Sequence, residues 1–291
     1  MSSKSVIKKQ LFFILGIFNY LIFRALETKK IKNAELVFFF PYYHTGGAER
    51  VHINILNALK SKKCVVIFTL GSATKSFYND FNANAKLIEL NSITNKKSTF
   101  LNYITQKKIE KCINSSNKIA FIFGANSDYY YQIIPNIKKQ IKKIDLFHAF
   151  EENDIRIPKI IQSVSYINKR IVINQKAKSD IIQFYKENNC NEEFIKRIEI
   201  IPNGILLNKS KIKKSSNGNL KIGFIGRWSP EKRPDLFLKI AKNIKTKMPE
   251  VSFVMAGTGM RDKVNTITTA GIDFLGEITN KAEMNSIYES L

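Results

Sequence analysis

In "KIGFIGRWSPEKRPDLFLKIA" (Lys221–Ala241) an apolar run and a glycine are followed by Arg227, Lys232 and Arg233, ahead of a stretch with helical spacing. No apolar core gains from three cations in such a turn. Pro234 suits the first helical position and biases Arg233 away from helical backbone angles, so a helix is expected to start there. The cations then stand beside free N–H groups and the positive end of a helix dipole, a combination that attracts phosphate, and Gly226 lets a ligand approach the backbone. A solvated basic turn is the competing reading.

The same arrangement occurs earlier. "FFFPYYHTGGAERVHINIL" runs from an apolar strand through Gly46 and Gly47 into a helical pattern, placing two glycines where the backbone turns tightly. In "DLFHAFEEND", His148 ends another strand, a position from which a side chain reaches a ligand in a parallel-sheet crevice. Glu151, Glu152 and Asp154 could act on an acceptor hydroxyl, although a solvated acidic loop is the simpler reading. Cys64, Cys112 and Cys190 form no C-x-x-C pair, and His44, His52 and His148 lack metal-site spacing. No disulfide framework and no metal are expected, a reducing compartment fits, and Cys64 reads as a small core residue.

These residues need elements to hold them. From Asn33 onward, short β-branched and aromatic runs alternate with helical stretches, the mark of βαβ units and a parallel sheet. Strands are expected at Leu36–Phe40, Val65–Leu70, Lys86–Leu90, Ile119–Phe123, Ile144–His148, Arg170–Asn174 and Ile198–Pro202. Ala48, Val51, Ile55 and Leu59 mark one helix face, and Leu236, Ile240 and Ile244 another. "NGILLNKSKIKKSSNGN" reads as a linker, after which strands "LKIGFI", "VSFVMA" and "IDFLG" alternate with helices. The expected division is a basic, apolar segment over residues 1–34, a Rossmann-like domain over 35–205, a linker over 206–219 and a partial Rossmann-like domain over 220–291. Three βα units make about half of a doubly wound sheet, so the second domain reads as incomplete.

The 291 residues are 44% hydrophobic, enough for two ordinary domains, and carry a formal charge of +23. Such a charge points to a polyanionic neighbour, or to unselected surface, since the lysines are scattered. "LFFILGIFNYLIFRAL" (Leu11–Leu26) lies between Lys4, Lys8 and Lys9 on one side and Lys29, Lys30 and Lys32 on the other. It is too short for a spanning helix and lacks a small-residue cleavage site. A helix in the interface of an anionic membrane is expected, with a helix packed on the first domain as the alternative.

Taken in order, "HTGGAERV", "RIVINQKAKSDIIQFY", "IIPNGI", "GFIGRWSPEKRPDLFLKIA", "VMAGTG" and "FLGEI" resemble the successive signatures of family 4 glycosyltransferases, retaining enzymes of the GT-B fold. The resemblance covers nearly all of Leu36–Leu291 and is most specific over Gly226–Ala241. It implies an α/β architecture of two Rossmann-like doubly wound parallel-sheet domains, and no cofactor beyond a nucleotide diphosphate sugar donor. It implies that Arg227 and Lys232 bind the donor diphosphate and that Gly46 and Gly47 form the glycine loop facing donor phosphates and acceptor. Gly257, Gly259 and Gly276 would lie near the nucleotide, and His148 would be the active-site histidine beside the transferred sugar.

Two departures stand out. Ile205, Leu206 and Leu207 follow "IPNG" where an Asp is usual, and the family's E-x7-E motif is matched only by Glu27 and Glu35, before the first strand. The expected function is transfer of a sugar to a glycan or lipid-linked acceptor in cell-surface polysaccharide synthesis, at the cytoplasmic face of the membrane. No D-x-D, which a metal-dependent GT-A enzyme would want, is present. The alternatives are a non-catalytic remnant or membrane-associated subunit of the same fold, and a nucleic-acid binder. The last ranks lowest because no recognisable RNA or DNA module accompanies the charge, so no nucleic-acid partner is expected.

Overall fold

The computed structural model describes residues 14–91, 99–148, 157–204, 220–278 and 280–291. The chain divides into two compact units, Met1–Ile205 and Leu206–Leu291.

In the first unit, helix α1 (residues 14–33) precedes β1 (Leu36–Phe40), α2 (Gly47–Ala58), β2 (Cys64–Phe68), α3 (Tyr78–Asn82) and β3 (Lys86–Glu89). There follow α4 (Thr99–Asn114), β4 (Phe121–Ala125), α5 (Asp128–Ile133), β5 (Lys142–Phe147), α6 (Ile157–Ser163), β6 (Lys169–Val172), α7 (Gln175–Glu187) and β7 (Ile198–Ile200). All strand pairings are parallel, in the order β3-β2-β1-β4-β5-β6-β7. Every residue of β1 and β2 is buried, as expected of strands covered on both faces. Along β1, Leu36, Phe38 and Phe40 pack into one apolar layer while Val37 and Phe39 pack into the other.

The buried face of α2 differs from the periodicity. Glu49, His52, Ile53 and Leu56 turn inward, and Val51, Ile55 and Leu59 are only partly covered. His52 holds the inward position because its ring stacks on Phe40, centroids 3.9 Å apart and 3° from parallel. A second polar group in the core is the Asp145–Arg170 pair at register positions of β5 and β6, with side chains 0% and 1% exposed. Arg170 donates from Nη2 to Asp145 Oδ2 at 2.6 Å and from Nε to Oδ1 at 3.1 Å, while the Tyr131 hydroxyl donates to Oδ2 at 3.0 Å. Arg170 also contacts the Tyr185 hydroxyl and the faces of Phe147 and Tyr185. Cys64, the first residue of β2, is buried, and burial pushes its thiol up to about 11, as suits a core residue.

Helix α1 contains a π-helical turn, Phe23–Glu27, in which the Thr28 N–H bonds back to the Phe23 carbonyl. One side of it packs on the unit: Phe23 and Ile31 are 1% and 0% exposed, Gly16 abuts Leu101, and Ser116 donates to the Lys32 carbonyl at 3.0 Å. Helix α1 therefore lies alongside α4 and runs in the same direction. Its other side leaves Ile14, Leu15, Phe18, Leu21, Ile22 and Leu26 exposed by 40–62%. Among the described residues no helix is long and apolar enough to cross a membrane.

In the second unit, β8 (Lys221–Ile225), α8 (Pro234–Lys247), β9 (Ser252–Ala256), α9 (Val264–Thr269), β10 (Asp273–Gly276) and α10 (Lys281–Glu289) build a parallel sheet of order β10-β9-β8. Its core gathers Phe253, Met255, Met260, Ile267 and Ile272 around Ala241. The face expected for α8 is only partly right. Ile244 packs on this core with Phe237 and Leu238, but Leu236 and Ile240 are 44% and 42% exposed. The small Ala241 lets the helix sit close to the sheet and sets the contacting face one residue further on.

Candidate functional site

In the first unit the strand order reverses between β1 and β4, and the carboxyl ends around that point carry the polar groups. Gly46 is the extended residue preceding α2, and Gly47 opens the helix with empty space where a Cβ would project. A Cβ on Gly46 would overlap the carboxylate of Glu49, which folds back toward the helix start. At Gly46 the nearest group is thus the movable end of the Glu49 side chain, while Gly47 keeps the helix start clear.

His148 follows the last residue of β5, and its Nε2 lies 3.0 Å from Nε2 of His52 on α2. His52 is fully buried, and its Nδ1 has no hydrogen-bond partner. The tautomer that donates from Nε2 of His52 to Nε2 of His148 leaves Nδ1 of His52 as a bare acceptor and avoids an orphaned buried N–H. In that tautomer the proton of neutral His148 is on Nδ1. Burial, and secondarily His148, holds the His52 imidazole well below the usual histidine range, so it stays neutral. His52 thereby fixes the orientation of His148, as a partner group fixes any working imidazole.

Around them, Tyr43 donates its hydroxyl to Glu89 Oε2 at 2.8 Å and its N–H to Ser72 Oγ at 2.8 Å. Burial and Glu89 push the Tyr43 phenol up to about 12. Thr69 Oγ1 and Ser127 Oγ, beyond β2 and β4, are 3.3 Å apart. Asn126, directly after β4, adopts φ +51°, an uncommon conformation for a residue with a side chain and one that recurs at ligand-binding turns.

The second unit knits its three strand ends together through glycines. The Gly226 N–H donates to the Ala256 carbonyl at 2.9 Å, and the Gly257 N–H donates to the Gly276 carbonyl at 2.9 Å. Gly257 has φ +145°, and a Cβ there would overlap the Gly226 carbonyl oxygen. Only glycine fits. Gly259, at φ +72°, passes over Trp228, whose N–H donates to the Thr258 carbonyl at 2.9 Å. Gly276, at φ +79°, borders open space. Gly226, Gly257 and Gly276 thus meet in one backbone platform, with Gly259 just beyond it.

Arg227 leaves this platform directly. A 3₁₀ turn, Pro230–Lys232, then leads to Arg233, and α8 begins at Pro234. Arg233 avoids right-handed helical angles, but it does so in the left-handed region, at φ 51° and ψ 50°, rather than in the extended one. The preceding turn imposes this, because the Arg233 N–H closes back on the Pro230 carbonyl at 3.2 Å. The Arg233 guanidinium engages Asp235 through Nε and Nη2, both at 3.2 Å. Arg227 and Lys232 form no ion pair among the described residues. Glu231 shares the turn, its carboxyl held below the usual range first by its own backbone N–H and further by Arg227 and Lys232. Cations that lower a carboxyl pKa across open solvent also attract a phosphate.

The periodicity gave no hint of His52, and Tyr43, Ser127 and Asn126 carry no motif; position at strand ends alone reveals them. Glu151, Glu152, Asp154, Ile205, Leu206 and Leu207 lie outside the described residues. Among the described residues no group of three or more His, Cys, Asp or Glu side chains is placed to hold a metal ion.

No protein-family model and no curated protein matches the chain. Solved structures do. HepE of Anabaena in complex with UDP and glucose has a TM-score of 0.59 at 16% identity, covering 88% of this chain and 72% of its own. TarM superposes with a TM-score of 0.60 at 12% identity, covering 88% and 79%. A glycosyltransferase from Rickettsia africae gives 0.59 at 16% identity, covering 84% and 69%. At these identities the likeness is one of fold. The chain has the α/β architecture of the GT-B glycosyltransferases, with a seven-stranded parallel sheet and a smaller parallel sheet.

Proposed function

We propose that the protein is a family 4, retaining glycosyltransferase that moves a sugar from a nucleoside diphosphate donor to a glycan or lipid-linked acceptor. It would serve cell-surface polysaccharide synthesis from the inner face of the membrane. The observation that carries this reading is the second unit's glycine platform with Arg227 and Lys232 beside it, neither of them in an ion pair among the described residues. The platform admits a diphosphate close to the backbone, and the cations neutralise the charge that grows on it as the sugar leaves. A nucleoside diphosphate sugar is the substrate, and side-chain cations do the work that a metal ion does in other transferases. The UDP in HepE supports the same reading.

In the first unit, Gly47 leaves room at the start of α2, and His148 stands at the carboxyl end of β5 with its Nε2 against His52, a position beside the crevice in which a sugar would lie. The exposed apolar side of α1 supports a place at a bilayer interface.

The test is a calorimetric titration of nucleoside diphosphate into the full chain and into an Arg227→Ala/Lys232→Ala variant. Each lost charge-assisted hydrogen bond is expected to cost about 1.5–3 kcal/mol of binding, with the thermal unfolding unchanged. An unaltered dissociation constant would return both residues to a merely solvated turn.

A further inference from the structure

The opposite end of the first unit's sheet holds a concentration of cations that the sugar-transfer reading does not use. Lys29 and Lys30 from the end of α1, Lys62 and Lys63 ahead of β2, and Lys86 at the start of β3 line one cavity of about 610 Å³. Two of the five are engaged: Lys30 with Glu27 at 2.6 Å and the Leu87 carbonyl at 3.1 Å, and Lys62 with Glu35 at 3.5 Å. Lys29, Lys63 and Lys86 form no ion pair among the described residues, although the Glu35 carboxylate accepts the Lys63 backbone N–H at 2.9 Å and faces its charge. The carboxyl end of a helix attracts cations, which accounts for Lys29 and Lys30. It does not account for Lys62, Lys63 and Lys86, brought in from two other elements. Like charges gathered around a concavity raise its potential and concentrate anions there.

A second feature adjoins the cavity. Lys29 stands three residues beyond Leu26, the last of the exposed apolar residues of α1, and Phe100 and Tyr103 of the neighbouring α4 are also 57% and 59% exposed. An apolar stripe leading into a lysine-lined hollow matches the layering of a bilayer interface, acyl chains beside phosphates.

We infer that this cavity is a phosphate-binding site, separate from the Arg227 and Lys232 turn, which takes a multiply charged phosphate group through Lys29, Lys63 and Lys86. The ligand is either a lipid headgroup phosphate or a soluble polyphosphate; both present the same chemistry to the lysines.

The experiment uses the full chain carrying Arg227→Ala and Lys232→Ala, so that the other candidate phosphate site is silent. Inorganic pyrophosphate is titrated into this protein and into one with Lys29→Gln, Lys63→Gln and Lys86→Gln added, which keeps most of each aliphatic stem. Both are also sedimented with phosphatidylcholine vesicles with and without phosphatidylglycerol. A control carries Lys239→Gln, Lys242→Gln and Lys247→Gln instead, removing equal charge from exposed positions of α8. At least a tenfold loss in the cavity variant and none in the control is expected. Loss in both assays supports a headgroup source, and loss with pyrophosphate alone supports a soluble one. Equal binding by all three proteins, or equal loss in cavity variant and control, overturns the site.

Discussion

Acidification should destabilise the first unit through His52 before it protonates its structural carboxylates. The perturbation is pH, and the comparison is His52→Phe, which keeps an aromatic ring against Phe40 but cannot titrate. His52 is fully buried and its pKa is depressed well below 6.5, by burial first and by His148 second. In the unfolded chain the same imidazole binds a proton near pH 6.5. Above that pH both states are neutral and the contribution to stability is complete. Below it the unfolded state takes up a proton that the folded state refuses, so stability falls with pH until the folded pKa is reached. One proton corresponds to about 1.4 kcal/mol per pH unit, the limiting slope with which stability falls below about pH 6.5 for as long as the folded imidazole stays unprotonated. Each such unit is a sizeable part of a typical domain's 5–15 kcal/mol. Urea unfolding followed at a series of pH values measures it. The wild-type and His52→Phe curves are expected to differ by a constant above pH 6.5 and to converge below it. Overpacking in the variant shifts only the constant. Parallel curves over the whole range would refute the argument, because they would mean that His52 titrates alike in both states.

Further substitutions probe the frameworks behind the candidate site. Gly257→Ala should destabilise the second unit by about 3 kcal/mol or more, since it adds a clash with the Gly226 carbonyl to an unfavourable φ. Gly276→Ala, which meets only open space, should cost about 1–2 kcal/mol, and denaturant midpoints that rank the two the other way would contradict the platform. Asp145→Ala should cost about 3–5 kcal/mol by stranding the Arg170 charge in the core, and adding Arg170→Met should restore much of it; a double variant no more stable than the single would show that the pair's packing, not its charge, matters.

The strands were legible because fully buried parallel strands are written as short continuous apolar runs, and "LVFFF", "SFVMA" and their counterparts begin and end within a few residues of where the runs do. The start of α8 at Pro234 was equally local, fixed by a ring that presets φ and excludes helical angles before it. Local chemistry also marked Gly46 and Gly47 in one turn and Arg227 and Lys232 in another, since backbone turns and cation density are properties of a few consecutive residues, whereas the glycines of "AGTG" stood out only through the family resemblance. The inward face of α2 was not legible. His52 is buried because Phe40 offers a flat ring beneath it and His148 a polar partner across the sheet end, and neither neighbour is near it in sequence. The Gly226–Gly257–Gly276 platform depends on the register of three strands, and the lysine cavity on three segments meeting at the amino ends of β1, β2 and β3. A sequence states which residues are polar, apolar or free to turn; only packing between distant segments decides which of them share a site and which of their charges are left without a partner.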